Sequence, residues 1–410
     1  MLLSFPVQFA TGFVLLLAVT LVPLWGVYFW QKMDINSINS LYGITICFTL
    51  TSIVLQRLIQ YPGTTQVAYV LPVTSLIYGL LLFFYLVSRI DYSNQIVIKS
   101  YAVTLSWCYA EYFLSNRFRV IRFAVVPFGT AKQLPEAHGA IFIPIGKRPE
   151  LPDTMIHAIT ADLGSASLTP EWERFLARCT LNGIPVYHVK QVREAITGRV
   201  RIDHLSENAF GSLQPSTAYS FIKRIADVLG AVLLIVLTLP IVATIALLIR
   251  LESPGPVIFK QRRLGFRGKP FTMLKLRSMR TNIDGEKFTS GIDDPRITNV
   301  GRVIRKFRID ELPQLLNIVK GDMSFIGPRP EALELSAWYE KDVPFFAYRH
   351  IVRPGISGWA QVELGYAAEI DGMKIKLEYD FYYIKNFSFW LDILITFKTV
   401  KTILTGFGAR

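Results

Sequence analysis

Cysteine is scarce and scattered. Cys47, Cys108 and Cys179 form no paired motif, which argues against a disulfide framework or a thiolate zinc site. Two of them lie in apolar segments, where a free thiol acts as a small buried hydrophobe. Histidine is as thin: His138, His157, His188, His204 and His350 are spread along the chain, and each reads as structural. Charge is sparse too, at 18% of residues against 51% apolar, a balance that soluble chains rarely show and that points to membrane segments. Acid falls short of base, 31 residues against 44, for a net charge of +13. Such an excess selects anionic partners. Beside membrane segments these are anionic lipid headgroups and phosphorylated ligands, with no nucleic acid. The N-terminus lacks a basic region, and its first apolar stretch is too long for a cleavable signal peptide.

Long apolar runs are what the chain has. Residues 5–30, 40–60 and 67–88 are each long enough to cross a bilayer. A fourth segment, 96–115, carries Lys99 and Glu111 and ends at the basic cluster "NRFRVIR". Lys99 can snorkel to the interface, and the cluster marks a cytoplasmic end. Four spans over 1–117 return the chain to the cytoplasm. Short apolar runs then alternate with a helix-like stretch, "PEWERFLARCTLNG", which predicts a small α/β layer with a parallel sheet over 118–197. A dinucleotide fold would want G-x-G-x-x-G after its first strand, and only Gly129 stands there. No cofactor is therefore expected in this layer; docking, regulation and spacing stay open as its roles. Residues 198–217 read as a linker.

Residues 228–249 are unbroken apolar, ordinarily a fifth span. Pro240 in the middle removes a backbone hydrogen bond and kinks a helix. Lys223 and Arg224 precede the run, and Arg250 and "KQRR" follow it. A crossing would leave one basic group outside, against the positive-inside tendency. A re-entrant helix that bends at Pro240 and leaves by the face it entered satisfies both features better than a plain kinked span.

Residues 251–330 hold 16 Lys and Arg against 8 Asp and Glu. "VIFKQRRLGFRGKPFTMLKLRSM" reads as strand, turn, strand, with Lys275 and Arg277 on one face of the second strand, a surface suited to anionic lipid or phosphate. "VGRVIRKFRIDEL" has helical spacing, with Val303, Phe307 and Leu312 on its apolar face and a stop near Pro313. Neighbouring helical residues point about 100° apart, so Asp310 and Glu311 cannot share one task. One can face a reacting phosphorus while the other holds a cation, and Mg²⁺ is the natural cation for a diphosphate. A plain Asp310–Lys306 surface pair is the competing explanation. In "GPRP", Pro328 and Pro330 restrict the backbone around Arg329, a mount suited to aiming a guanidinium at phosphate. "RPGISGWAQV" carries Arg353, and "KLEYDFYYIKNFSFWLDILITFKTVKTIL" mixes aromatics and lysines as an interfacial helix would.

Taken together, "KRIADVLGA", "SPGPVIFKQRRLG", "KLRSM", "DELPQLLNIVKGDMSFIGPRP", "RPGISGWAQV" and "EYDFYYIKN" resemble the bacterial sugar transferase family, the monotopic polyprenyl-phosphate phosphoglycosyl transferases. The resemblance runs continuously over about 219–410. The preceding spans and α/β insert are similar to the family's larger members, which use undecaprenyl phosphate. It implies an α-helical transmembrane bundle (1–117), a small Rossmann-like α/β domain without nucleotide fingerprint (118–197) and a linker (198–217). An α+β catalytic domain would follow at 218–410, with its re-entrant helix at 224–249.

By position, the resemblance also implies roles. Asp310 would be the nucleophile that attacks the sugar-bearing phosphate of a UDP-sugar, expels UMP and passes the phosphosugar to undecaprenyl phosphate. Glu311 would bind Mg²⁺, and Lys275, Arg305, Arg329 and Asp380 would serve substrate binding. Arg353, singled out above from its own turn, is read as a further phosphate contact. Family members often place Ser before the helix-breaking proline, where this chain has Leu239, with Thr238 before it; Pro240 keeps the break in place. The expected location is the bacterial inner membrane, with the catalytic domain on the cytoplasmic face beside anionic inner-leaflet lipids. A homodimer is left open. A transferase that moves only the sugar would release UDP instead. A regulator with a vestigial catalytic region would normally lack the carboxylates or the "GPRP" arginine, and all are present.

Overall fold

The computed structural model describes residues 5–25, 34–62, 64, 66–118, 121–136, 139–201, 214–280, 294–364 and 370–405. Most of the expected linker, 202–213, lies outside them. The chain divides into two compact units, Met1–Gly198 and Arg199–Arg410.

The first unit opens with four long helices: α1 (Phe5–Trp25), α2 (Ile35–Leu58), α3 (Gln66–Ser88) and α4 (Asn94–Phe118). The first three are long and apolar enough to cross a membrane. The fourth forms a helix as expected but does not reach that hydropathy, because it carries Lys99 and Glu111. Asp34 caps α2 by accepting from the Ser37 amide at 3.1 Å. Leu21, Ile44, Cys47, Tyr78 and Tyr85 form a shared core. Its polar groups are paired, Tyr78 with Thr104 at 2.9 Å and the Tyr85 hydroxyl with the Asn39 carbonyl at 2.8 Å. Helices α2 and α3 approach so closely that a Cβ on Gly43 would collide with the Tyr85 hydroxyl, the small-residue contact usual between membrane helices.

The same unit continues as β1 (Ile121–Val125), β2 (Ala140–Pro144), β3 (Ala158–Ala161), α5 (Pro170–Leu181), β4 (Val186–His188) and α6 (Val189–Thr197). The strands form a parallel sheet in the order β2-β1-β3-β4. Trp172, Phe175, Leu176 and Cys179 of α5 close it on one face against Ala124, Ile159 and Ala161. The expected parallel α/β layer is therefore present.

The second unit is built on α7 (Thr217–Glu252), 36 residues long. Along it, Asp227, Ala231 and Ile249 are buried, and Ile235, Val242 and Ile245 pack against the body of the unit. These positions recur every three or four residues, one stripe down the helix. Leu229, Val236, Leu237 and Leu247 on other faces stay exposed. Both ends of α7 are tied to the same body. Arg224 donates to the Ile318 carbonyl at 2.6 Å, and Asp227 accepts from the Ser324 hydroxyl at 2.7 Å. At the far end Glu252 accepts from the amides of Asn299 and Val300 at 2.7 and 3.0 Å.

The expected break at Pro240 is not seen in this helix. The proline leaves the Val236 carbonyl without its helical donor, yet the helix runs on to Glu252. Arg277, read from the sequence as part of a phosphate-facing surface, is instead buried. It donates to the carbonyls of Pro254 and Ser253, both at 2.6 Å. It thereby satisfies the acceptors that the end of α7 leaves open.

The remainder comprises β5 (Ile258–Leu264) and β6 (Pro270–Leu276), an antiparallel pair, then α8 (Asn299–Lys306), α9 (Gln314–Lys320), β7 (Ser324–Ile326) and α10 (Leu333–Asp342). Strand β8 (Gly355–Ser357), parallel to β7, precedes α11 (Trp359–Glu363), α12 (Ile370–Lys385) and α13 (Phe389–Thr405). The expectation of an interfacial helix over 376–404 is corrected here. Leu377, Phe381, Tyr383, Leu391, Leu394 and Ile395 are all buried, so α12 and α13 are core helices.

Candidate active site

The paired acids sit on a bend that periodicity did not reveal. The expected single helix over "VGRVIRKFRIDEL" is two helices with a turn between them. Thr298 starts α8 by accepting from the Gly301 amide at 2.9 Å. The helix ends at Phe307, and Arg308 takes a left-handed conformation at φ 58°. For a residue with a Cβ this costs about 1–2 kcal/mol, and such strain gathers at functional sites. A single 3₁₀ turn, Ile309–Glu311, follows before Pro313 opens α9. The turn buries both carboxylates: Asp310 is 8% exposed and Glu311 5%. Of the expected apolar face only Leu312 packs against the core, since Val303 and Phe307 are exposed and Ile304 is buried in their place. Lys306 lies over the Phe307 ring, 5.6 Å from its centre, and the surface pair with Asp310 does not form among the described residues.

Three cations converge on one oxygen. Glu311 Oε1 receives Arg329 Nη2 at 3.0 Å, Lys275 Nζ at 3.3 Å and Arg308 Nη1 at 3.5 Å. Lys275 comes from β6 and Arg329 from the loop after β7, so three separate segments meet at this carboxylate. Burial alone would raise the Glu311 pKa, but Arg329, Lys275 and Arg308 outweigh it and hold the group far below the usual carboxylate range. Asp310 goes the other way. Burial pushes its pKa up, with Lys275 opposing, Glu311 adding, and Arg329 and Arg305 opposing. Among the described residues its carboxylate accepts no hydrogen bond. Adjacent carboxylates whose environments drive their pKa values apart are suited to different chemical tasks. Lys275 is itself pulled below its usual value by burial, which Glu311 resists.

Five of the sequence-derived residues thus share one place: Asp310, Glu311, Lys275, Arg329 and, through its field on Asp310, Arg305. Two lie apart from that contact set. Asp380 is fully buried and accepts from Arg349 Nη2 at 2.7 Å and Nε at 3.0 Å. Arg353 donates to the Gly321 carbonyl at 3.1 Å and stacks over Phe266 at 4.8 Å. Sequence reasoning passed over Arg349, Arg263, Glu331 and Lys376. Glu331 follows directly on "GPRP". It is buried between Lys376 and Arg349, which lower its pKa to about 2 against the upward pull of burial. Arg263 lies in the noted "KQRR" run. Arg349 and Lys376 offered no signal, since each is a lone cation in an unremarkable segment.

A metal site must come from the same acids. Among the described residues no group of three or more His, Cys, Asp or Glu side chains stands ready to hold an ion. The carboxylates of Glu311 and Asp310 are of the type that Mg²⁺ accepts, one or two of them with phosphate oxygens and water completing its shell.

The profile of the bacterial sugar transferase family matches residues 218–406, the whole of the segment that carries these groups. The chain belongs to that family. Over all of this chain and 97% of its own length, a UDP-N-acetylgalactosamine-undecaprenyl-phosphate N-acetylgalactosaminephosphotransferase of Aeromonas hydrophila is 49% identical. A UDP-glucose:undecaprenyl-phosphate glucose-1-phosphate transferase of Caulobacter vibrioides is 42% identical over 48% of this chain and 74% of its own. An Escherichia coli protein of the same description is 42% identical over 44% of this chain and 39% of its own.

Proposed function

We propose that the protein transfers a sugar 1-phosphate from a UDP-sugar to undecaprenyl phosphate, releasing UMP, at the first membrane step of a surface polysaccharide. The observation that carries this reading is the contrast at residues 310 and 311. Glu311 has three cations on one carboxylate oxygen, while the neighbouring Asp310 carboxylate is buried, bears no hydrogen bond among the described residues and lies in the field of Lys275, Arg329 and Arg305. A desolvated carboxylate freed of donors is a nucleophile in waiting. One Asp310 oxygen attacks the phosphorus that bears the sugar. An aspartyl–phosphorus bond forms, the bridging P–O bond to UMP breaks, and the electron pair leaves with UMP. A phosphate oxygen of the lipid then displaces Asp310 and regenerates the carboxylate. Lys275, Arg305 and Arg329 neutralise phosphate charge throughout. Glu311, with Asp310 beside it, would hold Mg²⁺, which supplies further neutralisation of the diphosphate.

The same reading covers the membrane. Both ends of α7 are tied to one body, which supports a segment that enters and leaves the membrane by one face. Four N-terminal spans would then leave the catalytic unit in the cytoplasm, at the inner leaflet and beside its anionic lipids, where UDP-sugars are. The parallel α/β layer, Rossmann-like but lacking the glycine fingerprint, is an accessory domain. The full-length similarity to the A. hydrophila protein makes UDP-N-acetylgalactosamine the first donor to try.

Purified protein is incubated with undecaprenyl phosphate, Mg²⁺ and a panel of UDP-sugars, and the nucleotide product is identified. UMP from at least one donor is expected; UDP alone, or no nucleotide from any donor, refutes the reading. The pH profile carries a second expectation. Attack needs ionised Asp310, whose pKa lies above its usual 3.8. The acid limb of kcat/KM is therefore expected above pH 3.8 and absent when another step is made rate-limiting.

A further inference from the structure

We infer that Arg349, held by Asp380, is a positioning residue for Arg329 and through it for the transfer reaction. This rests on the function proposed above and concerns a residue to which that mechanism gives no role. The reason lies in the chemistry of "GPRP". Pro328 and Pro330 have no N–H, so the loop that carries Arg329 has few donors with which to fix itself. It is held by its acceptors instead. The Pro328 carbonyl accepts from the Gly355 amide at 3.0 Å, and the Glu331 carbonyl from the Leu264 amide at 3.1 Å. The two carbonyls between them have no backbone donor in the sheets. Arg349 Nη2 supplies the one at Arg329, at 2.9 Å, and Arg263 Nη1 the one at Pro330, at 3.0 Å. Four consecutive carbonyls are thus pinned, and the middle pair by guanidinium groups, the buried one of Arg349 and the half-buried one of Arg263.

Arg349 is well built for this. It is 1% exposed, on the 3₁₀ turn Phe346–Ile351, with its cation over the Phe346 ring at 5.2 Å. Two of its N–H groups meet Asp380 Oδ2, at 3.0 and 2.7 Å, and Nη1 lies 3.6 Å from Glu331 Oε1. Lys376 also donates to Glu331 Oε1. A buried ion pair is weak as a source of stability, so its use here points to a geometric task. Set this way, the Arg329 backbone presents its guanidinium to Glu311 Oε1 at 3.0 Å. The implied role of Asp380 changes accordingly. It orients Arg349 and does not itself touch substrate.

The test uses the full chain in lipid nanodiscs. Arg349→Lys keeps the charge beside Asp380 but lacks the second arm that reaches the Arg329 carbonyl. UMP release from UDP-N-acetylgalactosamine is expected to fall about 100-fold, the usual result of a small misplacement, with the melting temperature nearly unchanged. UMP binding, measured by calorimetry, weakens about tenfold. Asp380→Asn reproduces the loss and Asp380→Glu restores most of it. On an Arg329→Ala background, Arg349→Lys is expected to add nothing, because groups acting as a unit are not additive. Full additivity on that background, or an Arg349→Lys protein as active as wild type, overturns the inference. If Arg349→Lys does not fold, the Asp380 pair carries the same cycle. The binding cycle needs no turnover. A wild type that shows it yet releases no UMP from any UDP-sugar overturns the proposed function and supports the positioning role.

Discussion

Asp310→Asn is expected to abolish UMP release, by roughly 10⁴-fold or more, the loss typical of a removed nucleophile. It is also expected to raise the melting temperature. The two effects share one cause. Burial raises the Asp310 pKa in the folded protein, so its protonated form is favoured by folding. That contribution is present below the unfolded value and lost as pH rises through the folded one. At neutral pH the native state therefore carries a desolvated charge with no hydrogen bond among the described residues, and a neutral amide of the same shape removes that burden. Activity is read as nucleotide release and stability as thermal unfolding in nanodiscs at pH 7. A variant that loses activity and also melts lower would show that Asp310 supports the fold, and the assignment as nucleophile would lose its physical basis.

Glu311→Gln is expected to damage both properties. Its carboxylate neutralises Lys275, Arg329 and Arg308 at one point, and an amide leaves those cations uncompensated. Removing one partner of a buried pair costs about 3–5 kcal/mol. The lower end applies here, because Arg329 and Arg308 keep side-chain exposures of 29% and 32%. The pH dependence has the opposite sign to that of Asp310. The depressed Glu311 pKa stabilises the wild type above the ordinary value of 4.5, and the benefit fades as pH falls below it. The stability gap between wild type and Glu311→Gln should accordingly narrow in acid. UMP release is expected to drop about 10²–10³-fold, as when a charge-positioning group is removed. Equal stability of the two proteins at pH 7 would contradict the cation cluster.

Asp310, its neighbouring acid Glu311 and the proline-flanked Arg329 could be picked out because each is written as a local pattern, and the run of motifs from 219 onward is long. Lys275 could also be chosen, since its strand alternation puts it on a definite face. Other features were not local. Arg277 and Lys275 share a face in the sequence, but the end of α7, more than twenty residues upstream, captures Arg277 with open carbonyls. Asp380 reads as an active-site acid until its partner Arg349, 31 residues away, is seen. The turn at Arg308 left no mark because nothing short of a glycine or asparagine announces a left-handed residue. Val303 and Phe307 show a different kind of miss. Helical periodicity assumes that apolar residues turn inward, whereas this unit buries Asp310, Glu311 and Arg349 and leaves these two exposed.

The stripe along α7 has a practical consequence. Ala231 and Ile235 at one half of the helix close over Phe271, Met273, Leu315 and Ile318, and Ile249 with Val242 at the other half closes over Leu276 and Ile304. This long apolar helix is therefore also a wall of the core of its own unit. Truncation ahead of residue 253 would not liberate a water-soluble enzyme. It would uncover two core clusters and the donors of Arg277 at once, so the unit must be purified, stored and assayed together with its long apolar helix.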